Sequence, residues 1–141
     1  MKLDGPLAGV LLISPMVSFS TESESWTTNK DKDCVAPISM TLLGPAYVDD
    51  KDINNYSEPL LADVAWWKDL PAKSVLNVYG EDECFKSHVV EIGEKLAKAG
   101  THIENVECPA HVHIDWVLDL QAGFEPGVMS VKILDWLSRV F

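Results

Sequence analysis

The stretch that decides the fold is Ser74–Glu83, S-V-L-N-V-Y-G-E-D-E. Its first part is an apolar run with high β-propensity, and Gly80 ends that run. A short apolar run of this kind is typical of a strand buried in a parallel sheet. Three carboxylates follow at once, Glu81, Asp82 and Glu83. Because loops at the carboxyl ends of parallel strands form the sites of open α/β sheets, the stretch predicts a central strand followed by a polar loop at a site.

Strand and helix patterns alternate along the rest of the chain. We predict these elements, in order: a strand at 8–14, an excursion with helices at 18–70, a strand at 74–79, a helix at 85–99, a strand at 101–107 and a helix at 126–141. This alternation predicts an α/β fold with a parallel sheet, right-handed crossovers and helices on the faces of the sheet. For a chain of 141 residues, a single domain spanning 1–141 is expected.

The charge of the chain limits its partners. There are 11 Lys and Arg against 22 Asp and Glu, which gives a formal net charge of −11. Because like charges repel, this charge excludes nucleic acid as a partner and argues against binding to anionic lipid surfaces. The apolar run at 6–13 is too short to span a membrane and lacks a basic region and a cleavage site, so neither membrane insertion nor secretion is expected.

Cysteine and glycine patterns bear on the compartment and on cofactors. Cys34, Cys84 and Cys108 are widely spaced, which is unlike a disulfide framework and favours a reducing compartment. We therefore expect a cytoplasmic protein. Neither a dinucleotide-binding nor a P-loop glycine pattern occurs in the sequence, so we expect no nucleotide and no other cofactor.

Histidines follow the next predicted strand, in the sequence A-H-V-H-I-D at 110–115. A carboxylate after one strand and a histidine after the next is the order of the acid and the base in a Ser–acid–His triad. Histidine suits the base because its pKa lies near neutrality, and the carboxylate fixes its tautomer and stabilises the imidazolium. The spacing therefore points to an acid–histidine pair.

Each of these residues also has a structural interpretation. The carboxylates at 81–83 could be a solvated loop that stabilises the N-terminus of the following helix through its dipole. His113 could be an ordinary loop residue. A metal site could combine His111 and His113, on one face of an extended chain, with Cys84, His88 and Cys108. The spacing of these residues matches no zinc signature, however, and we predict no metal.

Five fragments, taken together, resemble a known family. They are L-A-G-V-L-L-I-S-P-M at 7–16, N-Y-S-E-P-L at 55–60, V-L-N-V-Y-G-E-D-E at 75–83, E-K-L-A-K-A-G at 94–100 and I-E-N-V-E-C-P-A-H-V-H at 103–113. In this order they resemble the C-terminal portion of α/β-hydrolases of the hormone-sensitive-lipase-like group (α/β-hydrolase fold-3), especially its fungal esterase and lipase members. The resemblance implies a partial α/β-hydrolase domain with an incomplete sheet.

The resemblance also implies site residues. The triad acid of the family stands three residues after the strand-ending glycine, which here is Glu83, with Asp82 as the fallback. The triad histidine corresponds to His113, with His111 as the fallback. The sequence departs from the family pattern in two respects, since the acid is Glu where Asp is usual and one residue separates the histidine from the acidic residue that normally follows it directly.

A larger departure concerns the nucleophile. Neither a G-x-S-x-G nucleophile elbow nor an H-G-G-G-type oxyanion loop occurs in these 141 residues, although the family carries both upstream of this portion. Oxyanion donors alone contribute about 10²–10³ in rate. We therefore expect a polypeptide of these residues alone, which would be a truncated hydrolase, to be inactive.

Two functions follow from the resemblance. The first is a hydrolase of carboxylic-ester type, acting on a small-molecule ester and represented by its acid- and histidine-bearing part. The alternative is a catalytically silent, hydrolase-like remnant that acts as a binding or partner module, tied to fungal secondary metabolism. If the strand at 8–14 is the sixth strand of the family sheet, its inner neighbour is absent, and the exposed edge could pair with another chain.

Overall fold

A computed structural model describes residues 4–141 and contains a sheet of three parallel strands. The strands are β1 (Val10–Ile13), β2 (Val75–Gly80) and β3 (Ile103–Cys108), in the spatial order β1-β2-β3. All six residues of the central strand β2 are buried, whereas β1 and β3 are partly exposed. The α/β class with an open parallel sheet, predicted from the sequence, is confirmed. Of the expected 1–141 range, residues 1–3 lie outside the described part.

The register of the sheet brings three strand ends to one edge. Ile13 pairs with Val78, and Gly80 pairs with Cys108, so the carboxyl ends of all three strands lie side by side. Two loops start at this edge. We call residues 81–85, after β2, the carboxylate loop, and residues 109–114, after β3, the histidine loop.

In the described part of the chain, five α-helices accompany the sheet: α1 (Glu24–Thr28), α2 (Pro37–Tyr47), α3 (Lys86–Lys98), α4 (Asp115–Ala122) and α5 (Val128–Val140). Three short 3₁₀ helices lie at Asp50–Asp52, Pro59–Leu61 and Val64–Trp67, inside the excursion between β1 and β2. Within residues 4–141, no helix is both long enough and apolar enough to cross a membrane.

The two faces of β2 organise the core. Leu76 and Val78 pack with the buried face of α5, which includes Trp136. On the opposite face Tyr79 packs in a cluster with Val89 of α3. Side chains alternate between the two faces because the side-chain period of a strand is two residues. The sheet therefore lies between a layer containing α3 and a layer containing α5.

The sequence does not predict helix α4, because the elements predicted above include no helix between the histidines and residue 126. It begins after Ile114, which has a left-handed backbone (φ 49°) in place of a capping side chain, and it ends at Gly123 (φ 74°). None of its residues is fully buried. A short, half-exposed helix without a capping residue leaves little periodic signal in a sequence.

Candidate active site

Glu83 lies in the carboxylate loop and is completely buried. Its Oε1 accepts hydrogen bonds from the backbone N–H of Gly80 (2.6 Å) and from the hydroxyl of Ser14 (2.5 Å). A buried carboxylate needs such donors, because removing the charge from water is costly. Both donors bind the same oxygen, so the other oxygen, Oε2, is left to face the histidine loop.

His113 provides the group that Oε2 faces. Its Nδ1 lies 3.6 Å from Oε2 of Glu83. Both atoms are buried, and neither has a hydrogen-bond partner among the described residues. Because an N–H···O hydrogen bond spans about 2.7–3.2 Å, a small inward movement of the ring would pair the two atoms. The ring also packs against Phe85, with 5.1 Å between the ring centroids.

The two fallback residues lie apart from this pair. Asp82 forms an ion pair with Lys32 (2.7 Å) and is partly exposed. The hydrogen bond to Asp82 raises the pKa of Lys32. Nδ1 of His111 lies 2.8 Å from the carbonyl oxygen of Pro109, two residues earlier in the chain. The structure thus brings Glu83 together with His113, and it places Asp82 and His111 with other partners.

A group of polar residues that the sequence analysis left unassigned holds the carboxylate loop. We call Ser25, Asn29 and Asp33 the clasp. Ser25 donates its hydroxyl proton to the carbonyl of Cys84 (2.6 Å), and Asn29 donates from Nδ2 to the carbonyl of Glu83 (2.9 Å). The carboxylate of Asp33 accepts from the backbone N–H of Cys84 (2.7 Å) and from one amide of the histidine loop. Their spacing of four residues indicates one face of a helical segment, but it carries no sign of the loop that the three residues bind.

The backbone around the site is strained at three non-glycine residues. Ser14 (φ 45°), Ala110 (φ 56°) and Ile114 (φ 49°) all have left-handed conformations. Such conformations cost about 1–3 kcal/mol each and persist where the surroundings impose them. At the end of β2, a Cβ added to Gly80 would collide with the carbonyl group of His111. The end of β2 and the histidine loop therefore meet backbone to backbone.

The cysteines near the site are poor nucleophiles. Burial raises the pKa of the Cys84 thiol to about 12 and that of Cys108 to about 11. Burial also raises the pKa of Cys34, whose Sγ lies 3.5 Å from the carbonyl oxygen of His113. A thiol with a raised pKa supplies little thiolate near neutral pH. Across residues 4–141, no three His, Cys, Asp or Glu side chains are grouped as around a metal ion.

Comparison with known proteins places this geometry in context. A family model described as "alpha/beta hydrolase fold" matches residues 2–116. Among curated proteins, none matches the chain.

Solved structures match most of the chain. A hormone-sensitive lipase from a metagenome library matches with a TM-score of 0.79 and 23% identity, over 96% of this chain and 46% of that one. A homologue of hormone-sensitive lipase, EstE7, also from a metagenome library, matches with a TM-score of 0.78 and 23% identity over the same shares. A thermostable esterase from Pseudomonas putida matches with a TM-score of 0.71 and 22% identity, over 88% of this chain and 43% of that one. The chain spans less than half the length of each of these proteins, and at these identities the likeness concerns the fold.

Proposed function

The chain belongs to the α/β-hydrolase fold family, and from this membership we propose that it supplies the acid and the histidine of a carboxylic-ester hydrolase. Glu83 is the acid, and His113 is the base. The observation that carries the proposal is a pair of buried atoms, Oε2 of Glu83 and Nδ1 of His113, which face each other at 3.6 Å and have no other partner within residues 4–141.

The proposed chemistry follows from this arrangement. A proton on Nδ1 of His113 points at the Glu83 carboxylate, which holds the ring in one tautomer and stabilises the imidazolium. The other ring nitrogen, Nε2, is then free to take the proton of a serine hydroxyl as that serine attacks the ester carbonyl. Nε2 later returns the proton to the leaving alcohol. The relatives named as esterases and lipases support a small-molecule ester as the substrate.

The proposal assigns the serine and the oxyanion donors to residues outside these 141, because neither the G-x-S-x-G nor the H-G-G-G pattern occurs in them. They would lie beside β1, whose pairing in the described part of the chain is with β2 alone. A groove of about 400 Å³ lies next to this strand and is lined mainly by apolar side chains, among them Leu11, Ile13 and Trp116. An apolar groove beside a strand that is paired along one edge suits a further strand and its helix.

A second candidate function is a catalytically silent module that binds a partner or ligand, in the setting of fungal secondary metabolism that the resemblance to fungal members implies. The same groove beside β1 favours it. The two candidates differ in one respect: only the first requires a proton to pass through His113.

Labelling with a serine-directed fluorophosphonate and hydrolysis of p-nitrophenyl acetate test the first candidate. We expect neither reaction from the 141-residue polypeptide alone. Joined to, or co-expressed with, a polypeptide that carries the G-x-S-x-G and oxyanion elements of an esterase of this fold, it should show both. His113→Ala should then lower kcat by about 10⁶, to the level that the oxyanion donors and substrate binding provide without the histidine.

The matched control is His111→Ala, two residues away, which should keep kcat within a few-fold of the parent. Equal loss in the two variants, or no loss in His113→Ala, would contradict the assignment of His113. An assembled complex that neither labels nor hydrolyses would favour the silent module.

A further inference from the structure

We propose that Asp33 is a positioning residue that holds the backbone of His113 beside Glu83, within reach of the hydrogen bond that an acid–histidine pair requires. This inference rests on the proposed function, because it concerns how the same pair is aligned. Asp33 lies in the polar excursion between β1 and β2, fifty residues before Glu83, and nothing in its local sequence assigns it to the site.

The contacts of its two carboxylate oxygens carry the inference. Oδ1 of Asp33 accepts from the backbone N–H of His113 (3.0 Å), and Oδ2 accepts from the backbone N–H of Cys84 (2.7 Å). Cys84 directly follows Glu83. One rigid, planar group therefore bonds to the main chain of the base and to the main chain next to the acid, and hydrogen bonds to a charged acceptor are stronger than neutral ones.

The other hydrogen bonds between the two loops are made away from His113. The backbone N–H of Asp82 donates to the carbonyl of His111 (2.9 Å), and Glu81 accepts from the backbone N–H of Ala110 (3.0 Å). Both hold the first half of the histidine loop. In the described residues, the side-chain partner of the His113 backbone N–H is Asp33.

Asp33 is itself held by the rest of the clasp. Its backbone N–H donates to the carbonyl of Asn29, and the backbone N–H of Asn29 donates to the carbonyl of Ser25, both at 3.0 Å. The second bond closes the last turn of α1, and the first adds one helical-type turn beyond it. Asn29 also donates to the carbonyl of Glu83 (2.9 Å), so the segment that carries Asp33 is anchored to the acid residue.

The contact matters for function because the hydrogen bond between His113 and Glu83 depends on a small change in distance. Nδ1 of His113 and Oε2 of Glu83 are 3.6 Å apart, just outside hydrogen-bond range. A displacement of a few tenths of an ångström decides whether the proton on Nδ1 is bound to the carboxylate. A contact made to the backbone of His113 itself controls that displacement more directly than one made elsewhere in the loop.

The experiment is ¹⁵N and ¹H NMR of the histidine rings in the full chain. In the parent protein, we expect His113 to carry its proton on Nδ1 and to show a downfield Nδ1–H resonance. In Asp33→Asn, an NH₂ group replaces one acceptor oxygen and faces the backbone N–H of Cys84 or His113, so that two donors meet. This variant should lose the resonance, and its ring nitrogens should shift toward those of an imidazole that exchanges freely between tautomers. Asp31→Asn, an exposed neighbour of the same charge, should leave the spectrum unchanged.

Further variants separate positioning from folding and from the proposed function. Asp33→Glu keeps two acceptor oxygens on a longer stem and should recover part of the signal, while Asp33→Ser, with a small side chain, serves if Asp33→Asn does not fold. A folded Asp33→Asn protein with the parent resonance overturns the inference. If Glu83→Gln leaves the His113 ring unchanged, or if the parent ring is not protonated on Nδ1, the acid–histidine pair fails and the positioning role fails with it.

Discussion

Glu83 is a buried carboxylate that accepts two hydrogen bonds at Oε1, and its removal should be costly. Without it, the hydroxyl of Ser14 and the backbone N–H of Gly80 lose the acceptor that both use. A buried donor left unpaired costs about 1–3 kcal/mol. We therefore expect Glu83→Ala to lower the free energy of unfolding by about 2–4 kcal/mol, measured by urea denaturation.

Glu94 provides the matched control for this variant. It lies on the exposed side of α3, where it pairs with Lys98 at 3.1 Å, and Glu94→Ala should leave the urea midpoint close to that of the parent protein. A Glu83→Ala protein as stable as Glu94→Ala would show that the buried hydrogen bonds to Glu83 contribute nothing net.

Residues of the site differ in how far the sequence predicts them. The nearness of Glu83 and His113 follows from their places after neighbouring parallel strands, whose carboxyl ends meet at one edge. The contacts of Ser14 and Asp33 do not follow in this way. They join side chains to loops that are 50 to 100 residues distant in the chain, and no local period encodes such distances.

Among the elements, α3 carries a buried histidine with a pH-dependent effect on stability. His88 is almost fully buried, and its Nδ1 has no partner within residues 4–141. Burial lowers the pKa of His88, although the charges of Glu91 and Glu58 act in the opposite direction. As the pH falls through the ordinary histidine pKa of about 6.5, the unfolded chain takes up a proton before the folded one does. The contribution of His88 to stability is therefore present above this pH and is lost below it.

The measurement compares urea unfolding at about pH 7 and about pH 5.5, on either side of the ordinary histidine pKa. His88→Gln, which cannot take up a proton, should lose less stability between these values than the parent protein. His102→Gln, at an exposed position, should lose as much as the parent. An identical pH dependence in His88→Gln and the parent would mean that His88 gains a proton in the folded state as readily as in the unfolded one.

The elements also differ in how well the sequence predicts them. In α3 the buried residues Val89, Ile92 and Leu96 recur at steps of three and four, and Gly100 follows with a left-handed backbone (φ 93°). Period and stop signal therefore agree. In α4 the stop signal is present at Gly123, but the helix begins after Ile114, whose backbone is left-handed. Because β-branched residues rarely adopt this conformation, the sequence does not predict the start of the helix.

At the scale of the whole molecule, the two layers of the core can be probed through their thiols. Cys84 belongs to the cluster on the α3 side of the sheet, and Cys108 belongs to the cluster on the α5 side. Both are fully buried, with pKa values raised to about 12 and about 11, while Cys34 is exposed. The pKa of Cys34 is also raised, but its thiol is accessible, so we expect iodoacetamide to modify Cys34 slowly and alone in the native protein, as measured by mass spectrometry of the labelled peptides.

In increasing urea, Cys84 and Cys108 should become reactive at the same midpoint, because strand β2 packs against both layers and joins them into one cooperative unit. Cys34→Ser is the control and should show no native labelling. If Cys108 became reactive at a lower urea concentration than Cys84, the α5 layer would be unfolding by itself, and the two sides of the sheet would be separate units.

The close approach at Gly80 has a consequence for motion. Irregular surface loops ordinarily fluctuate on the nanosecond to microsecond scale, independently of the strands that they connect. The histidine loop rests against the last residue of the central strand with no room for a methyl group between them, so it cannot shift without displacing main chain of the sheet. We therefore expect the histidine loop to move on the same time scale as the sheet. The backbone of the histidine loop is therefore as rigid as a core strand, although its conformation is irregular. The conformational entropy of the loop is lost when the protein folds, before any ligand binds.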